Sequence, residues 1–220
     1  MIMGILKDLG LVSTDNISSQ TFEELLGSQQ FYDINYDNPT DYVCQYWEAF
    51  SRMPQSNNNL GGKVFELIIE TLFLREGLMP LFSQAKVAFV PNVDFDILLY
   101  RLTEQGERIP ISISIKTSLR ERYKQADLEG FALKNVHRKA KCYLLTMNRE
   151  EARNVNRKIL SGDVAGLDKV IVCDTDDFNL FIDALKDNEY VESDTRKIIT
   201  STFEVTEEKY QHVINAHINR

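Results

Sequence analysis

From Ile109 to Lys116 the chain alternates without a break, with isoleucine at 109, 111, 113 and 115 and Pro, Ser, Ser and Lys between them. Side chains on a strand point alternately to its two faces, so this is a strand with one apolar face, and Ser114 and Lys116 project from the other. Val93–Arg101 reads as the preceding strand. The Thr103-Glu-Gln-Gly106-Glu connector carries a glycine where a hairpin turn needs one. A turn centred near residues 105 and 106 makes paired positions sum to about 211, to within a residue or two, which sets Asp96 opposite the 114–116 region.

The other elements follow from the same patterning. Leu119–Ala140 is expected to be an amphipathic helix with Tyr123, Ala126, Phe131, Leu133 and Val136 as apolar positions and Glu129 inside it. Thr21-Phe-Glu-Glu24 has the form of a capping box, so a short helix should begin there. Asn38-Pro39 opens a helix through Met53 whose Tyr42, Tyr46, Trp47 and Phe50 suit core packing, though such a cluster could also wedge between bases. Gln55–Gly62 reads as a polar linker, and a strongly apolar helix, Leu60–Arg75, stops at Gly77. Strands are expected at Lys86–Val90, Cys142–Met147 and Lys169–Cys173, and helices at Glu150–Leu160, Asp177–Lys186 and Thr206–Ile218. No internal repeat is visible. The result is an α/β chain whose core, residues 59–220, runs αβββαβ from the apolar helix onward, with a helical N-terminal region over 1–58 packed on it.

At 220 residues this is the length of one compact domain. No apolar run is long enough to span a membrane, and no charged start precedes a hydrophobic signal core, so a cytosolic protein is expected. Cys44, Cys142 and Cys173 are widely spaced beside apolar residues and read as buried free thiols. His137, His212 and His217 have no metal-binding spacing, and the last two are expected in solvent. The net charge of −8 argues against nucleic acid, but residues 116–141 hold eight Lys or Arg against three acids. A basic stripe of this kind on an acidic body suits phosphate contacts at one cleft. The acidic stretch Asp174–Asp194 reads as a solvated helix and loop.

An Asp96–Lys116 pair alone would be an ordinary cross-strand ion pair, worth a few tenths of a kcal/mol up to about 1 kcal/mol. Glu129 changes that reading, because a helix starting just after Lys116 can fold back and aim a carboxylate at the strand end. Asp96 and Glu129 could then share Mg²⁺, a hard cation held by one or two carboxylates plus substrate phosphate, with Lys116 beside it to stabilise an anionic transition state. Glu66 and Glu70, four apart on one face of Leu60–Arg75, face either this site or solvent. Asp94 shares a strand face with Asp96, but the apolar run after Asp96 favours the latter. Arg120-Glu121-Arg122 lies between the proposed catalytic residues. Arginine can bond guanine O6 and N7 together and glutamate can accept from cytosine N4, so this run can read G·C pairs. A solvated helix turn is the alternative. Lys124, Arg138 and Lys139 are the expected contacts to the DNA backbone.

Asp96, the Ser114-x-Lys116 pair and Glu129 thirteen residues beyond the lysine resemble the PD-(D/E)XK nuclease superfamily. More narrowly, they resemble type II restriction endonucleases of the CCGG group, in which serine replaces the acid before x-Lys and the carboxylate comes from the next helix. Arg120-Glu121-Arg122 stands where that group carries its G·C-reading residues. The close resemblance covers about residues 93–130, and Phe95 stands where the motif has proline. It implies a mixed central sheet flanked by helices and Mg²⁺-dependent hydrolysis of double-stranded DNA through Asp96, Lys116 and Glu129, with Ser114 in support and Glu66 toward the metal. It further implies 5′-phosphate products, a homodimer on a palindromic site, and the cytoplasm of a prokaryote. A structure-selective repair or recombination nuclease of the same superfamily and a non-catalytic DNA-binding protein remain open.

Overall fold

A computed structural model describes residues 4–14, 16–27, 31–54, 57–90, 92–192 and 199–218. Helices α1 (Ile5–Leu9), α2 (Ile17–Leu26), α3 (Pro39–Ser51) and α4 (Asn58–Arg75) come first, followed by strands β1 (Leu81–Val87), β2 (Phe95–Leu102) and β3 (Arg108–Ile115). Then come α5 (Arg122–Val136), β4 (Lys141–Thr146), α6 (Arg149–Ser161), β5 (Lys169–Val172), α7 (Asp176–Lys186), β6 (Glu189–Tyr190), β7 (Ile199–Val205) and α8 (Glu207–Ile218). The sheet runs β5-β4-β3-β2-β1-β7, with β6 beside the end of β2. It is mixed: β1–β2, β2–β3 and β1–β7 are antiparallel, whereas β3–β4 and β4–β5 are parallel. From α4 through β4 the element order is the expected αβββαβ.

Two apolar layers sandwich the sheet. On one face Ile97, Leu99 and the Ile111, Ile113 and Ile115 row pack with α4 and the N-terminal helices, through Phe65, Ile68, Ile69, Leu72 and Tyr42. On the other, Leu98 and Tyr100 pack with Ala126 and Leu133 of α5 and Ala152 and Val155 of α6. The isoleucine alternation therefore reports a real face, although Ser112 and Ser114 on the opposite face are buried as well. The aromatic cluster of α3 does pack in the core: Tyr42, Tyr46 and Phe50 are buried, and Trp47 is partly so.

Several boundaries differ from expectation. The first cap belongs to Asn16, whose side chain accepts from the N–H groups of Ser18 and Ser19, so α2 opens at Ile17. Thr21 lies inside that helix, its hydroxyl donating to the Ile17 carbonyl at 2.6 Å. Most of the expected linker is helical: Asn57 caps α4 by accepting from Asn59 and Leu60, and residues 55–56 lie outside the described residues. Gly61 lies within that helix, and a Cβ there would sit 3.2 Å from Phe50, so glycine lets α3 and α4 approach. Strand β1 starts at Leu81 instead of 86 and ends before Phe89, which is exposed; burial of both its faces hides the alternation. His217 is buried, with its Nε2 2.9 Å from Asp8 Oδ2, because α8 turns a Tyr210, Val213, Ile214 and His217 face toward the N-terminal helices.

Helix α5 is shorter than expected and turned differently. Phe131 and Val136 are exposed, whereas Ala126, Gly130 and Leu133 are buried. Close approach to the 164–167 loop selects small residues for the buried stripe. Gly166 donates its N–H to Asp127 Oδ1 at 2.6 Å, and a Cβ on Gly166 would lie only 1.9 Å from the Asp127 carbonyl oxygen. Gly166→Ala is therefore expected to push α5 off the sheet and to destabilise the protein by about 1–3 kcal/mol, read as a lower urea midpoint with an unchanged m-value.

Candidate active site

The β2–β3 pairing, Ile97↔Ile113 through Leu102↔Arg108, stops one row short of Asp96. Its register is within one residue of the sequence estimate and sets Asp96 across from Ser114. There the Asp96 carboxylate replaces the backbone as acceptor. Its Oδ2 receives the Ile115 N–H at 2.8 Å and Lys116 Nζ at 2.6 Å. The two side chains are only 11% and 15% exposed, so this is not an ordinary exposed cross-strand ion pair. Lys116 is fixed from behind as well, its N–H donating to the Leu145 carbonyl at 3.0 Å. Ser114, buried, occupies the β3 face opposite Ile113 and Ile115.

Two glutamates from different helices share the electrostatic surroundings of this pair. Glu66 of α4 bonds Lys63 Nζ at 2.7 Å. Burial and then the charge of Asp96 raise its pKa, while Lys63 and Lys116 oppose the rise. Glu129 of α5 accepts from Gln125 Nε2 at 2.7 Å. Burial raises its pKa first, the Gln125 bond and Lys116 pull it down, and Asp96 and Asp94 add to the rise. Asp96 of β2 and Lys116 at the end of β3 thus act on both Glu66 of α4 and Glu129 of α5. Asp94 is half-exposed and lies 3.5 Å from Lys86.

Glu70, one turn beyond Glu66, is buried rather than solvated and accepts a short hydrogen bond from Ser83 Oγ. Burial, opposed by that bond and reinforced by Glu66, pushes its pKa up to about 8. Among the described residues no group of three or more His, Cys, Asp or Glu side chains is assembled to hold a metal ion. A magnesium site needs fewer protein donors, because waters and substrate phosphate complete the shell. Asp96, with Glu66 and Glu129 near enough for its charge to raise both, offers the oxygen chemistry such a cation takes, although the three are not gathered into one ligand set.

Beside this cluster the segment from Thr117 to Arg122 borders a cleft of about 550 Å³. Arg120 and Arg122 line it together with Trp47, Ser51, Asn57 and Gly61 from α3 and the start of α4. Neither arginine forms an ion pair among the described residues. Helix α5 opens only at Arg122, so Arg120 and Glu121 precede it as a turn. Leu119 anchors that turn, buried and donating its N–H to Glu151 Oε2 at 2.6 Å. Glu121 points elsewhere, 2.5 Å from Lys124, so these two are joined to each other on the surface.

Arg138 and Lys139 are not brought to the site. They lie with Glu107 and Arg108 at the opposite end of β3 from Lys116, and Lys139 is paired with Glu107. The basic stripe is also largely neutralised. Lys134 and Lys141 both pair with Asp168, and counting Lys116, Lys124 and Lys139, five of the eight basic residues hold carboxylates. The part played by Lys63, Asn57 and Trp47 carries no local sequence signal, because only the crossing of α3 and α4 brings them to the site.

No protein-family model matches the chain, and no curated protein sequence matches it. A solved structure described as "Metal-depleted Ecl18kI in complex with uncleaved, modified DNA" is similar over 94% of this chain and 88% of that one, with 17% identity and a TM-score of 0.49. No described helix is long and apolar enough to cross a membrane.

Folded Glu70 keeps its proton up to about pH 8, whereas the unfolded side chain loses it near its ordinary 4.5. Between those values only the folded state holds the proton, so stability falls as pH rises through that window. Glu66 and Glu129, also raised, act in the same direction. Glu70→Gln, which keeps the acceptor for Ser83, should flatten this dependence and gain on the order of 3 kcal/mol at pH 8 in EDTA, with little change at pH 5. Urea unfolding at the two pH values measures it.

Proposed function

We propose that this chain is a Mg²⁺-dependent endonuclease of the PD-(D/E)XK type that hydrolyses double-stranded DNA at a specific site, in the manner of type II restriction enzymes. The observation that carries the reading is the Asp96–Lys116 contact of 2.6 Å at the end of the β2–β3 hairpin, with Glu66 and Glu129 acting on both groups from opposite sides of the sheet. Asp96, Glu129 and Glu66 would hold the Mg²⁺. When bound, the ion would lower the pKa of a coordinated water and neutralise charge on the scissile phosphate.

Lys116, held in place by Asp96, stabilises the anionic phosphorane-like charge and orients the attacking water. Ser114, buried on the strand beside Lys116, would support that geometry. Arg120 and Arg122, facing an open cleft without carboxylate partners among the described residues, are the donors available for guanine edges and phosphates. Glu121 would join them only by giving up Lys124, which leaves Lys124 free for the backbone. A palindromic site calls for a two-fold dimer in which each subunit cuts one strand.

Phage genomic DNA incubated with the chain at low salt should give discrete bands with Mg²⁺ and none with EDTA. Lys116→Ala should slow cleavage by about 10²–10³-fold or more, and Arg120→Ala should cost site selectivity before it costs binding. A Mg²⁺-dependent smear would replace this reading with a structure-selective nuclease. Intact DNA in every lane, from protein shown to be folded, would remove it.

A further inference from the structure

Strand β1 carries a backbone irregularity across from Asp96. Gln84 has a φ of 49°, in the left-handed region that residues with a Cβ adopt only at a cost. Its row is missing from both neighbouring ladders: β1 pairs with β2 at Ser83↔Ile97 and Ala85↔Phe95, and with β7 at Ser83↔Phe203 and Ala85↔Ser201. The row skipped between β1 and β2 is the one in which Gln84 faces Asp96. Side-chain alternation slips at the same point. Phe82 packs in the α5-side core, and so do Ala85 and Val87, whereas Ser83 bonds Glu70 on the α4 side. Ser83 and Gln84 are therefore both turned toward α4.

There Gln84 lines a cavity of about 310 Å³ together with Lys63, Glu66, Glu70 and Ser83. Its carboxamide has no hydrogen-bonding partner among the described residues. Glycine or asparagine would hold this backbone more cheaply, so the glutamine has to be explained by its side chain. A carboxamide is neutral and both donates and accepts. The cavity wall is polar along Lys63, Glu66, the protonated Glu70 and Ser83 and apolar along Leu11 and Leu67; on its polar side the carboxamide can bind water in a fixed orientation without adding charge.

We propose that Gln84 is a positioning residue of the cleavage site, its carboxamide ordering water in the chamber so that Glu66 is held toward Asp96. This rests on the nuclease reading above. The backbone strain at Gln84 is then the cost of turning a polar side chain into the chamber, from a strand position that would otherwise point it at the α5-side core.

The test uses the full chain and two variants, Gln84→Gly and Gln84→Asn, with phage DNA as substrate. Single-turnover cleavage is measured in Mg²⁺, DNA affinity in Ca²⁺, and the melting temperature alongside. Gln84→Gly should melt no lower than wild type, because the strain is relieved. It should bind DNA within about threefold of wild type yet cleave about tenfold more slowly or worse, a loss confined to the chemical step. Gln84→Asn, which keeps the amide and tolerates the backbone, should recover part of the rate. Cleavage by Gln84→Gly within about twofold of wild type overturns the proposal, and so does a slower variant that also melts lower. Wild-type protein that leaves DNA intact overturns the nuclease reading, and the role of Gln84 in it with that.

Discussion

A single carboxylate oxygen, Oδ2 of Asp96, accepts both the Ile115 N–H and the Lys116 ammonium where the β2–β3 ladder ends. Without it, a buried backbone donor and a largely buried charge would both lose their acceptor, and each loss costs more than the bond itself is worth. The bond also decides what lies downstream. With Lys116 fixed by Asp96 in front and by the Leu145 carbonyl behind, and Leu119 tied to Glu151, the turn through Arg120 and Arg122 has little freedom. Helix α5 starts from that turn, and the position of Glu129 follows.

Helix α4 carries the opposing requirement. It is the most apolar helix of the chain and packs Phe65, Ile68, Ile69 and Leu72 into the larger core, yet it also brings Glu66 and Glu70 to the inside of the molecule. Carboxylates four residues apart share a helix face and repel when both are charged. Ser83, Lys63 and the retained proton of Glu70 ease that repulsion only in part. A helix serving stability alone would place leucine there. The apolar contacts on the rest of α4 hold the acids where solvation alone would not, which is the usual relation between a scaffold and a strained polar site.

Legibility in the sequence followed the range of the interactions involved. The isoleucine alternation, the hairpin register, the Asn38-Pro39 helix start and the αβββαβ order were readable because each depends on neighbours a few residues apart. The buried face of α5 was not, because Gly130 and Gly166 meet across a 36-residue separation and invert the usual preference for large apolar side chains. Counting charges along 116–141 suggested a basic stripe, but Asp168 and Glu107, which neutralise much of it, lie outside that window. Arg138 and Lys139 lie away from the site for a topological reason. Because β3 and β4 are parallel, α5 must carry the chain back along the sheet, so whatever ends it lies at the far end from Lys116. His217 needed the meeting of the first and last helices, which no local pattern contains.

The same geometry bears on how recognition and cleavage could be joined under the proposed function. The cleft and the acidic cluster are bordered by the same two pieces of chain. Helix α4 contributes Asn57 and Gly61 to the cleft and, five residues after Gly61, Glu66 to the cluster, a separation of about 7.5 Å along the axis at 1.5 Å per residue. The 116–122 segment contributes Arg120 and Arg122 to the cleft and Lys116 to the cluster. Under that function, a ligand that shifts the arginines or the start of α4 would act on the same elements that carry Lys116 and Glu66. Glu66 and Glu129, both raised in pKa, are the groups on which such a shift would act most strongly, since each is balanced between the charges of Asp96 and Lys116. Coupling of this kind requires no domain motion; it needs only that the reading and cutting groups share rigid elements.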